Sequence, residues 1–510
     1  MIIINFIKNF INKIENNNIP LSYFIISFLA SITLRNFLEL FSSSTMIVSQ
    51  ALVHFYLSYL ALALTIIFLL VILIKLDIVK GIKLVFTGFF ILNIVPILDL
   101  IISSGKGYGI QYLTPEKHSN LLLRFFTFFG DRTINGGITP GMKIEIFLVL
   151  CFFLFYFIYK KISILKSFIN TFLIYTLIFF YCSLPYVIKY AANFLNLNYV
   201  LSTDTYILFY LLLIFFIVTY FFFKYKKEIF KILLKDIRPF RLLHYELMLV
   251  LGVVLNNFYF IKNFDFLFLL KFLLISIAIL FAWVYSVMTN NIIDYNIDKI
   301  SNKDRPLIKS YININLYNKI SIVFLFLALL YSSFYFMAMF IIALFIGNYF
   351  LYSMPPFRFK RIPLLSKIFI SLNSLSLIIL GFLLIGGELV NFPKIIIWFF
   401  IIFFTLVINF IDIKDYKGDK HESIKTLPVI MGLKNSKRII GIFFVVTYLS
   451  VYFLLKDNFL LLPLLFLSYI QFYLINKIEY KEKDVFLVHL FSLVLFIFYI
   501  LFSDILLYIL

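Results

Sequence analysis

The chain has 510 residues, 63% of them hydrophobic and only 14% charged. No soluble core needs that balance, and the continuous apolar runs, each near 20 residues, exclude a barrel of short alternating strands. The net charge of +20 sits in short loops between apolar runs, the bias expected of cytosolic loops, which excludes nucleic acid as the partner behind the basic composition. Cys151 and Cys182 both fall in apolar runs and read as small buried hydrophobes, neither a metal site nor a disulfide framework.

The opening segment MIIINFIKNFINKIENNN is interrupted by Lys8, Lys13 and Glu15 and lacks a cleavage site; it reads as a short interfacial helix rather than a cleavable leader. Six apolar spans follow, near 20–40, 51–74, 83–103, 144–159, 167–188 and 205–223. Arg35 and Glu39 stand i, i+4 inside the first and are expected to pair. The connector 104–143 is long, carries Gly105, Gly107, Gly109, Asp131, Arg132, Gly136 and Gly137, and lacks the pattern of a phosphate-binding loop. A basic stretch from Lys224 to Arg241 then marks a domain boundary, giving a membrane domain of unknown role over 1–230 and a second domain over 231–510. Nine further spans lie near 242–260, 266–290, 316–333, 335–352, 367–386, 394–411, 439–455, 459–476 and 485–508. With a cytosolic N-terminus, the turns bearing Lys75/Lys80/Lys83, Lys160/Lys161/Lys166, Lys299/Lys303/Arg305/Lys309, Arg358/Lys360/Arg361/Lys367 and Lys434/Lys437/Arg438 all return to the cytosol. The expectation is an all-α polytopic integral protein of the cell membrane with fifteen spans.

Two aspartate-rich stretches end long apolar spans on that cytosolic side. Asn290, Asp294 and Asp298 are spaced i, i+4, i+8; Asp415 and Asp419 repeat the i, i+4 step, with Asp412 three residues earlier. On helices these side chains share a face, about 6 Å apart along the axis. Carboxylates crowded near hydrocarbon repel one another and are costly. Mg²⁺, a hard cation held by one or two carboxylates plus substrate phosphates, removes that problem, and two facing clusters suit two ions bridged by a diphosphate. Arg305, Arg358, Lys360 and Lys425 lie on the same side, and their forks and point charges suit phosphate oxygens.

Four ordered stretches carry a resemblance: Arg238-Pro239-Phe240; the motif at 290–298 with Arg305-Pro306; Tyr352-Ser353-x-Pro-Pro-x-Arg358-x-Lys360; and Asp412-x-x-Asp415-x-x-x-Asp419 with Thr426-Leu427-Pro428 and Gly432. Residues about 231–510 resemble the UbiA superfamily of intramembrane prenyltransferases. The resemblance implies a nine-helix bundle, here preceded by about six further transmembrane helices, and Mg²⁺-dependent transfer of a prenyl group from a polyprenyl diphosphate to a lipid-soluble acceptor. It implies metal–diphosphate binding by Asn290, Asp294, Asp298, Asp412, Asp415 and Asp419. Arg305, Arg358, Lys360 and Lys425 are then expected to neutralise the leaving group, with Tyr352 and Ser353 lining the site. Asn291 stands where many members have Asp or Gln, and Ser423 where Gly is common. The acceptor resembles that of the branch alkylating geranylgeranylglyceryl phosphate; quinone or chlorin prenylation and phosphoribosyl transfer to polyprenyl phosphate are the alternatives. No family is recognised in residues 1–223.

A transporter is a different class of reading. Such proteins place acids near the membrane midplane on broken helices with repeat symmetry, whereas these acids sit at span ends. Phe281, Trp283 and Tyr285 read as ordinary packing residues, Arg361 and Lys367 as inside-positive anchors, and His54, His244 and His489 as packed or hydrogen-bonded helix residues.

Overall fold

In the computed structural model the described residues are 2–43, 49–117, 120–130, 137–256 and 264–502. They contain helices and turns but no strand. Asp131, Arg132 and Gly136, and the ends of the spans expected near 242–260 and 485–508, lie outside them. By density of internal contacts the chain groups into two compact units, Met1–Phe221 with Asp265–Leu270 and Phe222–Phe264 with Lys271–Leu510.

Among the described residues fourteen helices are long and apolar enough to cross a membrane, and they fall on fourteen of the fifteen expected spans. The remaining span appears as a 16-residue helix, Pro239–Val254, about 24 Å long at 1.5 Å per residue, which stops just before undescribed residues. The chain is an integral membrane protein.

The first unit holds α1 (Ile2–Asn16), α2 (Leu21–Ser42), α3 (Ser49–Leu73), α4 (Ile78–Gly88), α5 (Ile94–Ile102), α6 (Leu121–Phe126), α7 (Pro140–Tyr159), α8 (Ile164–Cys182), α9 (Leu184–Phe194) and α10 (Thr203–Tyr225). The opening helix buries Ile11, Ile14 and Glu15. Glu15 accepts from Tyr156 Oη at 2.7 Å and Lys160 Nζ at 2.6 Å, which fixes α1 to the end of α7. Arg35 and Glu39 do pair, at 3.3 Å and fully buried. Of the cysteines, Cys182 is partly buried but Cys151 is exposed: on a helix whose outer face is apolar, an outward thiol costs nothing against lipid.

The second unit holds α11 (Lys227–Asp236), α12 (Pro239–Val254), α13 (Phe266–Ile293), α14 (Tyr295–Ser301), α15 (Ile314–Ser332), α16 (Phe336–Ser353), α17 (Pro363–Leu384), α18 (Lys394–Asp412), α19 (Tyr416–His421), α20 (Leu427–Met431), α21 (Leu433–Leu455), α22 (Leu461–Asn476) and α23 (Glu482–Phe502). The last residues of α10, from Phe222 on, group with the second unit, and the first residues of α13 with the first. Nine of these are the expected long helices; the short ones α14, α19 and α20 cluster at motif ends. Lipid tails give helices no hydrophobic reason to associate, so close backbone approach matters more than in water. The α12–α17 crossing shows this: a Cβ on Gly252 would run into the Ile378 carbonyl, and one on Gly381 into that of Leu249.

Candidate diphosphate and metal site

Each aspartate-rich stretch breaks at its middle aspartate. Asp294 separates α13 from α14 with φ −87° and ψ 16°, and Asp415 separates α18 from α19 with φ −87° and ψ 1°. Neither carboxylate caps the short helix that follows it. An aspartate at a helix start ordinarily satisfies a free N–H there; these two keep their oxygens for other partners. The uniform i, i+4 ladder expected from spacing is therefore bent. In the second stretch α18 also widens to a π turn at Phe400–Phe404 and tightens to 3-10 pitch at Ile408–Asp412, a distortion common near functional sites. It delivers Asp412 into the interior, buried at 7% exposure.

The two bent ends pack on each other. Gly418 makes this possible: its N–H donates to Ser301 Oγ at 3.0 Å, and a Cβ there would collide with that hydroxyl and lie 2.9 Å from Ile297 Cγ2. Asn302 joins the stretches directly, its Nδ2 donating to Asp298 Oδ1 and to Asp415 Oδ1, both at 3.0 Å.

Around this contact lies a small cavity of about 70 Å³. Asn290, Asp294, Asp298, Asp412, Asp415 and Asp419 all line it, together with Arg305, Lys360 and Tyr352. Three further expected residues do not line it. Ser353 lies behind it and donates to Asn290 Oδ1 at 2.8 Å, which turns the Asn290 side chain. Arg358 reaches Asp294 Oδ1 at 3.0 Å beside Lys360, which holds Asp294 Oδ2 at 2.7 Å. Lys425 is exposed.

Spacing alone did not disclose the other members. Arg238, singled out in the sequence only within the Arg238-Pro239-Phe240 stretch, lines the cavity with Arg241 and Trp283. Trp283 Nε1 donates to the Ile237 carbonyl, the usual satisfaction of a buried indole N–H. Asn291 is buried and central: its Oδ1 accepts from Arg238 at 2.7 Å and from Arg305 at 2.9 Å, while its Nδ2 donates to Tyr317 Oη at 3.1 Å. Tyr317 in turn donates to Asp236 at 2.8 Å. An aspartate at 291 would add a charge to this network; the amide serves it with both a donor and an acceptor. Lys367, expected as a surface anchor, is instead 1% exposed and pairs with Asp412 Oδ1 at 2.6 Å. The positive-inside pattern marks such lysines but does not say which one turns inward. Glu482 ties the periphery together, accepting from Arg241 at 2.5 Å and Lys414 at 2.6 Å. Ser423, where glycine is common, adopts φ 57°, a left-handed turn that glycine enters freely.

The electrostatics are mixed in sign. Five carboxylates and four cationic groups line the cavity, so it suits a metal and an anion together better than either alone. Arg305 pairs with Asp298; burial and the neighbouring Arg238 bring its pKa down to about 9. Burial, then the Asp412 carboxylate, pushes Asp419 up to about 7. Among the described residues no three His, Cys, Asp or Glu side chains gather as a metal-holding group; Asp294, Asp298 and Asp412 are each paired with an Arg or Lys. Oxygens remain free for a ligand all the same. Asp412 Oδ2 is buried with no hydrogen-bond partner, and Asp419 makes no side-chain hydrogen bond or ion pair among the described residues. An all-oxygen set in which one or two carboxylates are available, beside cations able to hold phosphate, fits Mg²⁺ carried in with a diphosphate.

A separate cavity of about 940 Å³ in the same unit is lined mainly by apolar side chains, among them Met248, Phe382, Phe399, Phe404, Phe444 and Tyr448. His489 also lines it and bonds His244, which bonds Ser374 at 2.9 Å; His54 bonds Tyr112 at 2.6 Å. The three histidines are thus hydrogen-bonded helix residues, as expected.

A model of the UbiA prenyltransferase family matches residues 248–505. Digeranylgeranylglyceryl phosphate synthase of Sulfolobus acidocaldarius is 32% identical over 225 residues, covering 42% of this chain and 78% of the relative. Among solved structures, a UbiA homolog from Archaeoglobus fulgidus bound to DMAPP and Mg²⁺ aligns at 18% identity and a TM-score of 0.42, covering 53% of this chain and 98% of that one. A UbiA homolog from Aeropyrum pernix aligns at 14% identity and a TM-score of 0.38, with 53% and 98% covered.

Proposed function

The chain belongs to the UbiA prenyltransferase family, and we propose that its residues 231–510 transfer a prenyl group from a polyprenyl diphosphate to a geranylgeranylglyceryl phosphate-type ether lipid precursor within the membrane. The observation that carries this reading is the convergence of both aspartate-rich stretches and four cations on one cavity. The relative named digeranylgeranylglyceryl phosphate synthase favours this acceptor over a quinone or chlorin ring and over phosphoribosyl transfer.

Asn290, Asp294 and Asp298 on one side and Asp412, Asp415 and Asp419 on the other would hold Mg²⁺, which supplies positive charge against the negative charge building on the departing diphosphate. Arg305, Arg358 and Lys360, with Arg238, act on the same charge directly. In the resting site Arg305, Arg358 and Lys360 pair with carboxylates and Arg238 with the Asn291 amide oxygen; all four turn to phosphate oxygens when the diphosphate binds. The allylic C–O bond breaks with its electron pair leaving on the diphosphate. The acceptor hydroxyl oxygen then bonds the allylic carbon and gives up its proton to an oxygen of the departed diphosphate. Ser353 orients Asn290, Tyr352 lines the site, and Asn302 keeps the two stretches in register. The apolar 940 Å³ cavity suits the prenyl chain, since a dry aromatic wall protects an allylic cation from water. Both stretches face the cytosol in this reading, supported by the basic residues that crowd the same helix ends.

The test is an acceptor screen. Full-length protein, Mg²⁺ and geranylgeranyl diphosphate are incubated with geranylgeranylglyceryl phosphate, a hydroxybenzoate or a chlorin, and products are read by mass spectrometry. The reading requires a diether product from the first; alkylation of only a ring acceptor, or of none, overturns the assigned acceptor.

A further inference from the structure

The first unit encloses a cavity of about 740 Å³ that the prenyl-transfer reading does not use. On α3 its wall runs from Ala51 to Ile66, about 22 Å along the helix. Most of the lining is apolar, as at Leu62, Leu84, Phe89, Ile146 and Phe152. A few polar groups interrupt it. Arg35 lines the cavity while only 1% exposed, and its guanidinium lies 4.8 Å from the Phe55 ring centre and 5.3 Å from that of Tyr59. Its Nη2 pairs with Glu39, but its Nη1 has no hydrogen-bond partner. Glu145 also lines the cavity, has Arg35 as its electrostatic neighbour, and makes no hydrogen bond or ion pair among the described residues. Nearby polar lining is already satisfied: His54 and Tyr210 both bond Tyr112.

A buried guanidinium donor and a carboxyl group left unmatched in an apolar chamber call for a ligand that matches both. The charges limit its head. One cation faces Glu39 and Glu145, so a diphosphate would meet two acids for one arginine, whereas a neutral hydroxyl accepts from Arg35 Nη1 and donates to Glu145. The apolar length requires a long chain behind that head. We propose that the first unit binds a long-chain lipid with a neutral, hydroxyl-bearing headgroup, held by Arg35 and Glu145. This proposal stands independently of the reading of the second unit.

The experiment is photo-crosslinking of purified full-length protein with geranylgeraniol carrying a diazirine on its chain, with labelled peptides mapped by mass spectrometry. The proposal expects label in peptides covering 51–66 and 142–153. Unlabelled geranylgeraniol or dioleoylglycerol should displace it, the stronger competitor naming the prenyl or acyl source; squalene and geranylgeranyl diphosphate should not. Glu145→Leu should lower this labelling at least tenfold and leave the melting temperature and tryptic fragment pattern of the first unit unchanged, which reports an intact fold. Arg35→Met risks unfolding because it strands Glu39, so Ile146→Trp, which fills the apolar part, is the second variant and should have the same effect. Absent label in these peptides, equal displacement by squalene or the diphosphate, or full labelling of both variants would overturn it.

Discussion

At the scale of single residues, the candidate site is a set of largely buried charge pairs. The buried Lys367–Asp412 pair gives the sharpest stability prediction. Removing one partner of a buried pair costs about 3–5 kcal/mol, while replacing both with apolar groups is often neutral. Lys367→Met should therefore lower the melting temperature markedly, and Lys367→Met with Asp412→Leu should recover it while leaving turnover abolished. If the double variant is as unstable as the single, Asp412 does not need Lys367. Asn302 offers a second prediction at this scale. Hydrogen bonds to charged groups contribute about 1.5–3 kcal/mol, so Asn302→Leu should slow turnover by roughly tenfold to a hundredfold without loss of fold. A variant as fast as wild type would mean that the two stretches keep register without it.

At the scale of elements, hydropathy and spacing disclosed a great deal. Twenty-residue apolar runs are so specific to membrane helices that nearly every span was readable, and the acids stood out because carboxylates at hydrocarbon ends are costly. What spacing could not show was geometry made by tertiary approach. Asp294 and Asp415 read as mid-helix residues, yet each is a corner. Lys367 and Arg361 look alike in a basic loop, but only Lys367 turns inward. Asn302 looks like an ordinary turn residue, and its importance comes from an aspartate 113 positions away. The meeting of α14 and α19 yields its own prediction. Gly418→Val should force them apart, costing about 1–3 kcal/mol as an overpacking change and lowering turnover far more than its effect on melting; Gly418→Val combined with Ser301→Gly should regain part of the activity. Equal turnover in Gly418→Val and wild type would show that the approach is dispensable.

At the scale of the whole molecule, prenyl transfer is proposed for one compact unit and lipid binding for the other, with the catalytic end proposed to face the cytosol. Sidedness can be measured separately from chemistry. In a chain freed of Cys151 and Cys182, a cysteine replacing the exposed Lys420 should react with a membrane-impermeant maleimide in inside-out vesicles and stay protected in right-side-out ones. The opposite pattern would reverse the topology. The central claim is that two distant aspartate-rich stretches form a single site. Groups that act as one unit give losses that do not add. The most direct measurement is therefore Mg²⁺-dependent diphosphate release by wild type, Asp294→Ala, Asp415→Ala and the double variant. Each single change should cost about a hundredfold to a thousandfold, with the double no slower than the worse single. Wild-type release by either single variant would contradict the account.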